Sequence, residues 1–320
     1  MVENIAVVGV GALGKRHLQS LVELERDVKL FAVEKNPETL KALAEEFNVQ
    51  NGCSITCVQE IEELPNVLDL VVIATSSDVR RMLFEKLTNH AEIKNIIFEK
   101  VLFQRIEDYY FVEQKLQEKK IKAWVNCARR EWDSYHWLKG KILNCSSFAF
   151  TAIGGQWGMG CNSIHILDLI EFLSDGKCHL DLVRLLPNIV ESKRKDFYEF
   201  FGSITGDCGK CYAYQVACMD NTNLPFIIEI TGDTLRAIIN EAKQEIYISE
   251  KENDWAWEKM TFNVSYQSQL TKKVAQTILE IGDCRLAKYE DSMKLHLELI
   301  TPLIQYFENQ GMEEGLCPIT

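Results

Sequence analysis

The first 125 residues alternate two kinds of hydrophobic pattern. Short apolar runs at residues 5–8, 30–33, 68–74, 96–98 and 123–125 predict strands. Between them, residues 13–25, 37–47, 79–87 and 106–119 carry apolar side chains at three- and four-residue spacing with charges in between, which predicts surface helices. Such alternation builds a parallel sheet covered by helices on both faces, a doubly wound domain over residues 1–126. After Asn126 the texture changes. One strong helix is predicted near residues 162–173, followed by β-rich segments at 210–219, 226–231, 234–240 and 245–248. Turn clusters separate them, Asp220-Asn221-Thr222-Asn223 and Gly232-Asp233, so this stretch reads as an antiparallel meander. Residues 289–307 return to helical spacing, and the second domain is expected to span 127–320.

The segment Gly9-Val10-Gly11-Ala12-Leu13-Gly14 follows the strand IAVV directly and opens a helix, the context in which G-x-G-x-x-G marks a dinucleotide site on a Rossmann sheet. Gly9 allows the tight turn, Gly11 leaves room for a pyrophosphate, and Gly14 lets helix and strand pack closely; Ala12 and Leu13 complete the loop at the anion-attracting helix N-terminus. Glu34 ends the second predicted strand, where an acid accepts hydrogen bonds from the adenosine ribose. Its charge repels the 2′-phosphate of NADP and favours NAD, while Lys35 beside it leaves NADP open. Ligands of such sheets bind at the carboxyl ends of the strands, so Thr75, Ser76, Glu99 and Lys100 are expected to face the cofactor.

Charge and composition narrow the partners. With 35 Lys and Arg against 47 Asp and Glu, the net charge of −12 repels phosphate backbones and anionic membranes, which argues against nucleic acid and membrane partners. No run approaches the roughly 18 apolar residues of a membrane span, and MVENIAVVGVGALG lacks the basic and apolar blocks of a secretory signal. A cytoplasmic protein is expected. Its 11 cysteines are then mostly reduced thiols. Cys208 and Cys211 form a C-x-x-C without a second Cys or His pair, and Gly209 with Lys210 reads as a hairpin turn, so a structural thiol pair is expected rather than a metal or redox site.

Taken together, GVGALGKRHL, IATSS, FEK at 98–100, VNCARR at 125–130, GGQWGMGCNSIHILDL at 154–169 and ITGDTLRAIIN resemble the Gfo/Idh/MocA oxidoreductases, over essentially the whole chain. That resemblance implies an N-terminal Rossmann domain and a C-terminal α/β domain with a large, mostly antiparallel open sheet that often mediates oligomerisation. It also implies action on sugars, polyols or nucleotide sugars, and a homo-oligomer, dimer or tetramer. By the same resemblance Glu99 and Lys100 match the family's Glu-Lys-Pro motif, with Val101 for proline, and Lys100 matches the active-site lysine. A lysine at a strand's carboxyl end can stabilise alkoxide character during hydride transfer, although on spacing alone it could instead pair at the surface. His165 and Asp168 match the family's His-x-x-Asp and share a helix face. Histidine can take or return the hydroxyl proton, and Asp168 could orient it or bind substrate hydroxyls.

The chain also departs from the pattern. Cys161 stands where many family dehydrogenases carry Asp, and Ser76, Ser77 and Arg80 replace a proline and a nearby histidine. Asn162, three residues before His165, could supply a hydrogen bond in place of the missing carboxylate. Arg129 and Arg130 read equally as substrate contacts or as interdomain ion pairs. Trp157 reads as a sugar-stacking platform or as ordinary packing. Arg16 and His17, on the first turns of the helix after the glycine loop, read as a solvated helix face ahead of a cofactor contact. The leading expectation is an NAD(P)-dependent oxidoreductase moving hydride to or from a secondary hydroxyl or ketone of a sugar, polyol or nucleotide sugar. The alternatives are a cofactor-binding sensor or scaffold without turnover, and a reductase of the same fold acting on a non-sugar compound.

Overall fold

A computed structural model of the chain describes residues 2–47, 55–220 and 222–320. Asn221, within one of the expected turns, lies outside the described residues. In chain order the elements are β1 Glu3–Val8, α1 Ala12–Leu21, β2 Val28–Val33, α2 Pro37–Phe47, β3 Ile55–Val58, β4 Val67–Leu68, β5 Leu70–Ile73, α3 Ser77–His90, β6 Glu92–Ile93, β7 Asn95–Phe98, α4 Ile106–Lys119 and β8 Lys122–Val125. There follow α5 Asp133–Ile142, β9 Phe148–Gly155, α6 Met159–Ser174, β10 Cys178–Glu191, β11 Tyr198–Cys208, β12 Cys211–Met219, β13 Ile227–Gly232, β14 Leu235–Asn240, β15 Glu245–Glu250, β16 Trp257–Thr261, α7 Gln267–Ile281, β17 Ala287–Lys288 and α8 Tyr289–Asn309.

The chain forms two compact units. The first comprises Met1–Phe103, Glu107–Asn126 and Ser265–Ser292, the second Gln104–Ile106, Cys127–Val264 and Met293–Thr320. Among the described residues the first unit holds a sheet in the order β17-β8-β7-β5-β1-β2-β3, parallel except for the edge strand β17. The strand order reverses beside β1, so the loop after β1 sits at the switch point where doubly wound sheets bind ligands. Ile5, Val7, Leu30, Ala32, Leu70 and Val72 make the sheet's share of the core, and Leu18 and Leu21 of α1 close over them.

Here the structure differs from the expected division of the chain at residue 126. Residues 265–292 fall with the first unit, because Val274, Ala275 and Ile278 of α7 join the same core as Leu18 and Leu21. The Lys272 amide donates to Ser20 Oγ at 2.8 Å, and Trp124 Nε1 donates to Asp283 Oδ1 at 3.2 Å, which ties this return segment to α1 and β8. Nothing in the local pattern of α7 tells which sheet its stripe will cover.

In the second unit the described strands run β10-β11-β12-β9-β13-β14-β15-β16, antiparallel except for the β12–β9 pair. The expected meander is present, but β9, β10, β11 and β16 enlarge it. α6 lies over β10, β11 and β12 on one face. Cys208 and Cys211 flank the expected turn at Gly209 (φ +56°) and are buried free thiols; burial pushes Cys211 up to about 12.

Candidate cofactor and catalytic site

The three glycines of the first loop do different work. Gly9 takes φ +85°, and a Cβ there would lie 2.5 Å from the Thr75 side chain. A Cβ on Gly14 would lie 2.0 Å from the Gly9 carbonyl oxygen, so these two positions are closed by the protein itself. Gly11 is the opposite case: it is exposed, and a Cβ there would meet nothing within 4 Å. The loop is thus packed from behind and open in front, where the first amides of α1 lack intrahelical partners. Ala12 is exposed and Leu13 half-buried beside that opening.

Glu34 stands half-buried just past β2 and braces the loop. Its carboxylate accepts from the Val10 amide at 3.0 Å and from the Asn36 amide at 3.2 Å, one bond per oxygen. Each carboxylate oxygen has a further lone pair to offer a ribose hydroxyl. An open glycine, a helix N-terminus and a fixed acid together fit a dinucleotide, with the pyrophosphate over Gly11 and the adenosine ribose at Glu34. Lys35 is exposed next to it. Thr75 backs the loop through its methyl group, and Ser76 Oγ donates to Asp78 Oδ1 at 2.5 Å.

Lys100 is half-buried just past the carboxyl end of β7, and the Lys100–Val101 peptide is cis. Its neighbours correct two expectations. Glu99 does not face a cofactor: it is 2% exposed and its Oε1 lies 2.9 Å from His17 Nε2. His17 is not on a solvated face: it is fully buried, because α7 covers that side of α1 and Thr271 Oγ1 meets its Nδ1 at 2.9 Å. Arg16 is exposed, as expected. Burial pushes the Glu99 carboxyl up, but hydrogen bonds and charge from His17, then Asn126 and Lys100, bring it below the ordinary carboxylate range. Arg80, also buried, spends its guanidinium on backbone carbonyls, donating to Leu102 at 2.7 Å and to Val101 and Thr75.

In the second unit His165 is half-buried on α6. Asp168, expected beside it as a catalytic group, is fully buried and accepts from Arg130 Nε at 2.8 Å. Burial raises the Asp168 carboxyl against the pull of Arg130; burial also works against the charge on Arg130, yet Asp168 holds it above its ordinary value. A 2.8 Å contact is the geometry of a charge-assisted bond, so the pair is read as an ion pair that anchors α6. Arg129 is likewise committed. Its Nε and Nη2 make a forked contact to Glu241 at 2.8 and 2.6 Å, and the Tyr135 hydroxyl donates to the same carboxylate.

The loop before α6 is held by its own contacts. Trp157 Nε1 donates to the Ala217 carbonyl at 2.9 Å and its ring packs on Phe226 with centroids 4.8 Å apart, so packing is the role seen here. Asn162 Nδ2 donates to the Trp157 carbonyl at 2.8 Å and fixes the loop. The amides of Gly160 and Cys161 both donate to Glu199 of β11, a carboxylate cap on the N-terminus of α6 that no local sequence signal announced.

Residues 3–127 match the sequence profile of the Gfo/Idh/MocA family, described as an oxidoreductase family with an NAD-binding Rossmann fold. No curated protein matches the chain in sequence. Among solved structures, UDP-N-acetylglucosamine 3-dehydrogenase GnnA from Acidithiobacillus ferrooxidans is similar at 13% identity and TM-score 0.71, over 94% of this chain and 96% of that one. An oxidoreductase from Agrobacterium radiobacter, solved with NAD+, L-tartaric acid and magnesium, matches at 14% identity and TM-score 0.69, over 94% and 95%. The transcriptional regulator Gal80p from Kluyveromyces lactis matches at 11% identity and TM-score 0.70, over 97% and 93%. At such identities the likeness is one of fold.

The glycine loop and Glu34 fit the NAD named in that family description. Residues the sequence reading passed over are those that hold others in place: Glu199, Glu241, Gln267 and Thr271. All four act across sequence separations of 38 or more residues, which periodicity and spacing do not register.

Proposed function

We propose that the protein is an NAD-dependent oxidoreductase acting on a secondary hydroxyl, or the matching ketone, of a sugar, polyol or nucleotide sugar. The observation that carries the reading is the glycine loop, closed behind Gly9 and Gly14 and open in front of Gly11, beside a Glu34 carboxylate fixed by two amides. NAD, when bound, supplies the hydride acceptor. Lys100 donates a hydrogen bond to the reacting oxygen and stabilises its developing charge. His165 takes the hydroxyl proton, or returns it in the reductive direction. The fold shared with GnnA favours a sugar-linked substrate.

Nicotinamide absorbance is followed at 340 nm over a panel of sugars and nucleotide sugars that includes UDP-N-acetylglucosamine. Lys100→Ala and His165→Ala are each expected to lower turnover by about 10²–10⁴-fold and to leave NADH affinity within a few-fold. A double variant that keeps full turnover would remove both residues from the chemistry. The burial of Asp168 and its ion pair with Arg130 favour one second reading, a cofactor-binding sensor of the same fold, since they commit one of three expected site groups to a structural contact. Saturable NADH binding with no absorbance change across the panel is the outcome that selects it.

A further inference from the structure

Five side chains of the first unit, four of them buried and Gln267 half-buried at the rim, close a ring of hydrogen bonds. Gln267 Nε2 donates to Thr271 Oγ1 at 2.9 Å, Thr271 Oγ1 meets His17 Nδ1, His17 Nε2 meets Glu99 Oε1, and Asn126 Nδ2 donates both to Glu99 Oε1 and, at 2.9 Å, to Gln267 Oε1. The donors can be assigned around the whole circuit. With Glu99 ionised and His17 neutral, Nε2–H donates to Glu99 and the Thr271 hydroxyl donates to Nδ1. With His17 protonated, Nδ1–H donates to Thr271, whose hydroxyl turns to the Gln267 carbonyl at 3.3 Å. Either way no member loses its partner, as a buried network requires.

The ring joins four elements: α1, which opens at the glycine loop, the ends of β7 and β8, and the first turn of α7. Its carboxylate is the residue directly before Lys100. Anchoring Glu99 inward therefore fixes the backbone that enters Lys100. On the far side of Lys100, Arg80 grips the carbonyls of Val101 and Leu102. The lysine is clamped from both flanks.

We propose that His17 is a positioning residue for Lys100, acting through Glu99, with Thr271 holding the imidazole in the orientation that this requires. The proposal rests on the oxidoreductase reading for the use made of Lys100, but not for the clamp itself. The test therefore reads the lysine directly. Native protein, His17→Leu, His17→Gln and Thr271→Val are pulse-labelled with acetic anhydride, and acetylation of each lysine is followed by mass spectrometry. NADH affinity is measured in parallel by fluorescence.

In His17→Leu and Thr271→Val the labelling rate at Lys100 is expected to change by about tenfold, the scale of a local opening, while Lys94, Lys115 and Lys122 of the same unit keep their native rates. His17→Gln, whose amide can still reach Glu99, is expected to restore much of the native rate. Thr271→Val is nearly isosteric and serves where His17→Leu does not fold. Native labelling of Lys100 in both variants overturns the proposal, and so does acceleration at every lysine without rescue by Gln, which would make the ring merely structural. Loss of NADH binding by the native chain would instead strike the oxidoreductase reading and leave the labelling result standing.

Discussion

At the scale of single residues, the glycine loop makes two substitutions of similar chemistry behave oppositely. Gly11→Val adds a side chain where nothing lies within 4 Å and where the backbone, at φ −67°, accepts it. The folded state should tolerate it, with a melting temperature close to native, while the added methyls occupy the room of the pyrophosphate and abolish measurable NADH binding. Gly14→Ala places its methyl 2.0 Å from the Gly9 carbonyl, a backbone atom that cannot give way. Calorimetry should show that variant losing stability as well as binding, by about 1–3 kcal/mol from overpacking. Equal behaviour of the two would mean that the space in front of Gly11 is not the cofactor's. The sequence pattern carried all three glycines. It could not divide them, since that depends on Thr75, far along the chain from Gly14, and on where β5 delivers it.

Elements are held by buried charge in both units, and each pair makes a test. In the second unit, Arg130 is what keeps the fully buried Asp168 of α6 compensated. Arg130→Leu strands that carboxylate and is expected to cost about 3–5 kcal/mol in urea unfolding, whereas Arg130→Leu with Asp168→Leu should recover most of the loss. A double variant no more stable than the single one would show that the pair is not coupled. In the first unit, the Glu99 carboxyl is held below its ordinary value of 4.5, against burial, by His17, Asn126 and Lys100. A depressed acid contributes stability that is complete above its unfolded value and is lost as pH falls through the folded one. Melting curves of native protein and Glu99→Gln should therefore run apart at neutral pH and converge below about pH 4.5; parallel curves down to about pH 3 would contradict the ionised ring. Much of the frame behind these pairs was legible in the sequence. β1, β2, β5, β7, β8 and four helices of the first unit follow from alternating patterns, and α6 from its apolar run. The two misreadings, His17 as solvated and Glu99 as cofactor-facing, share one cause. Sequence patterns are local, and both residues are buried by elements distant in sequence, α7 above all. Asp168 failed differently: its spacing to His165 put it on the expected helix turn, but spacing does not say that Arg130 waits there.

At the scale of the whole molecule, the large sheet has one face that its own unit does not fully cover. Phe150, Val216, Ile228, Ile230, Ile239 and Ile248 are buried on the covered face. Across the register, Ala217, Ile153 and Ile227 form one row on the other face, and Gln215, Thr151, Glu229, Ile238, Tyr247 and Lys259 form the next. Of these nine residues Ala217, Ile153, Ile227, Ile238 and Tyr247 are hydrophobic, and Tyr247 is 38% exposed, so an apolar stripe crosses this face. Among the described residues no helix is long and apolar enough to cross a membrane. We expect a second copy of the chain to cover it, sheet face to sheet face around a two-fold axis, burying well over about 1,000 Å² in total. The same face would then meet itself, and a charge placed at its middle would meet a like charge across the axis. Ile238→Glu sits between Glu229 and Tyr247 in register and adds to the charge of Glu229. Sedimentation velocity at micromolar concentration should give a dimer or larger species for the native chain and a monomer for Ile238→Glu, with unchanged far-ultraviolet circular dichroism because the side chain leaves the covered face untouched. A native chain that sediments as a monomer would leave this face open to water, and an Ile238→Glu variant that keeps the native assembly would move the interface elsewhere on the molecule.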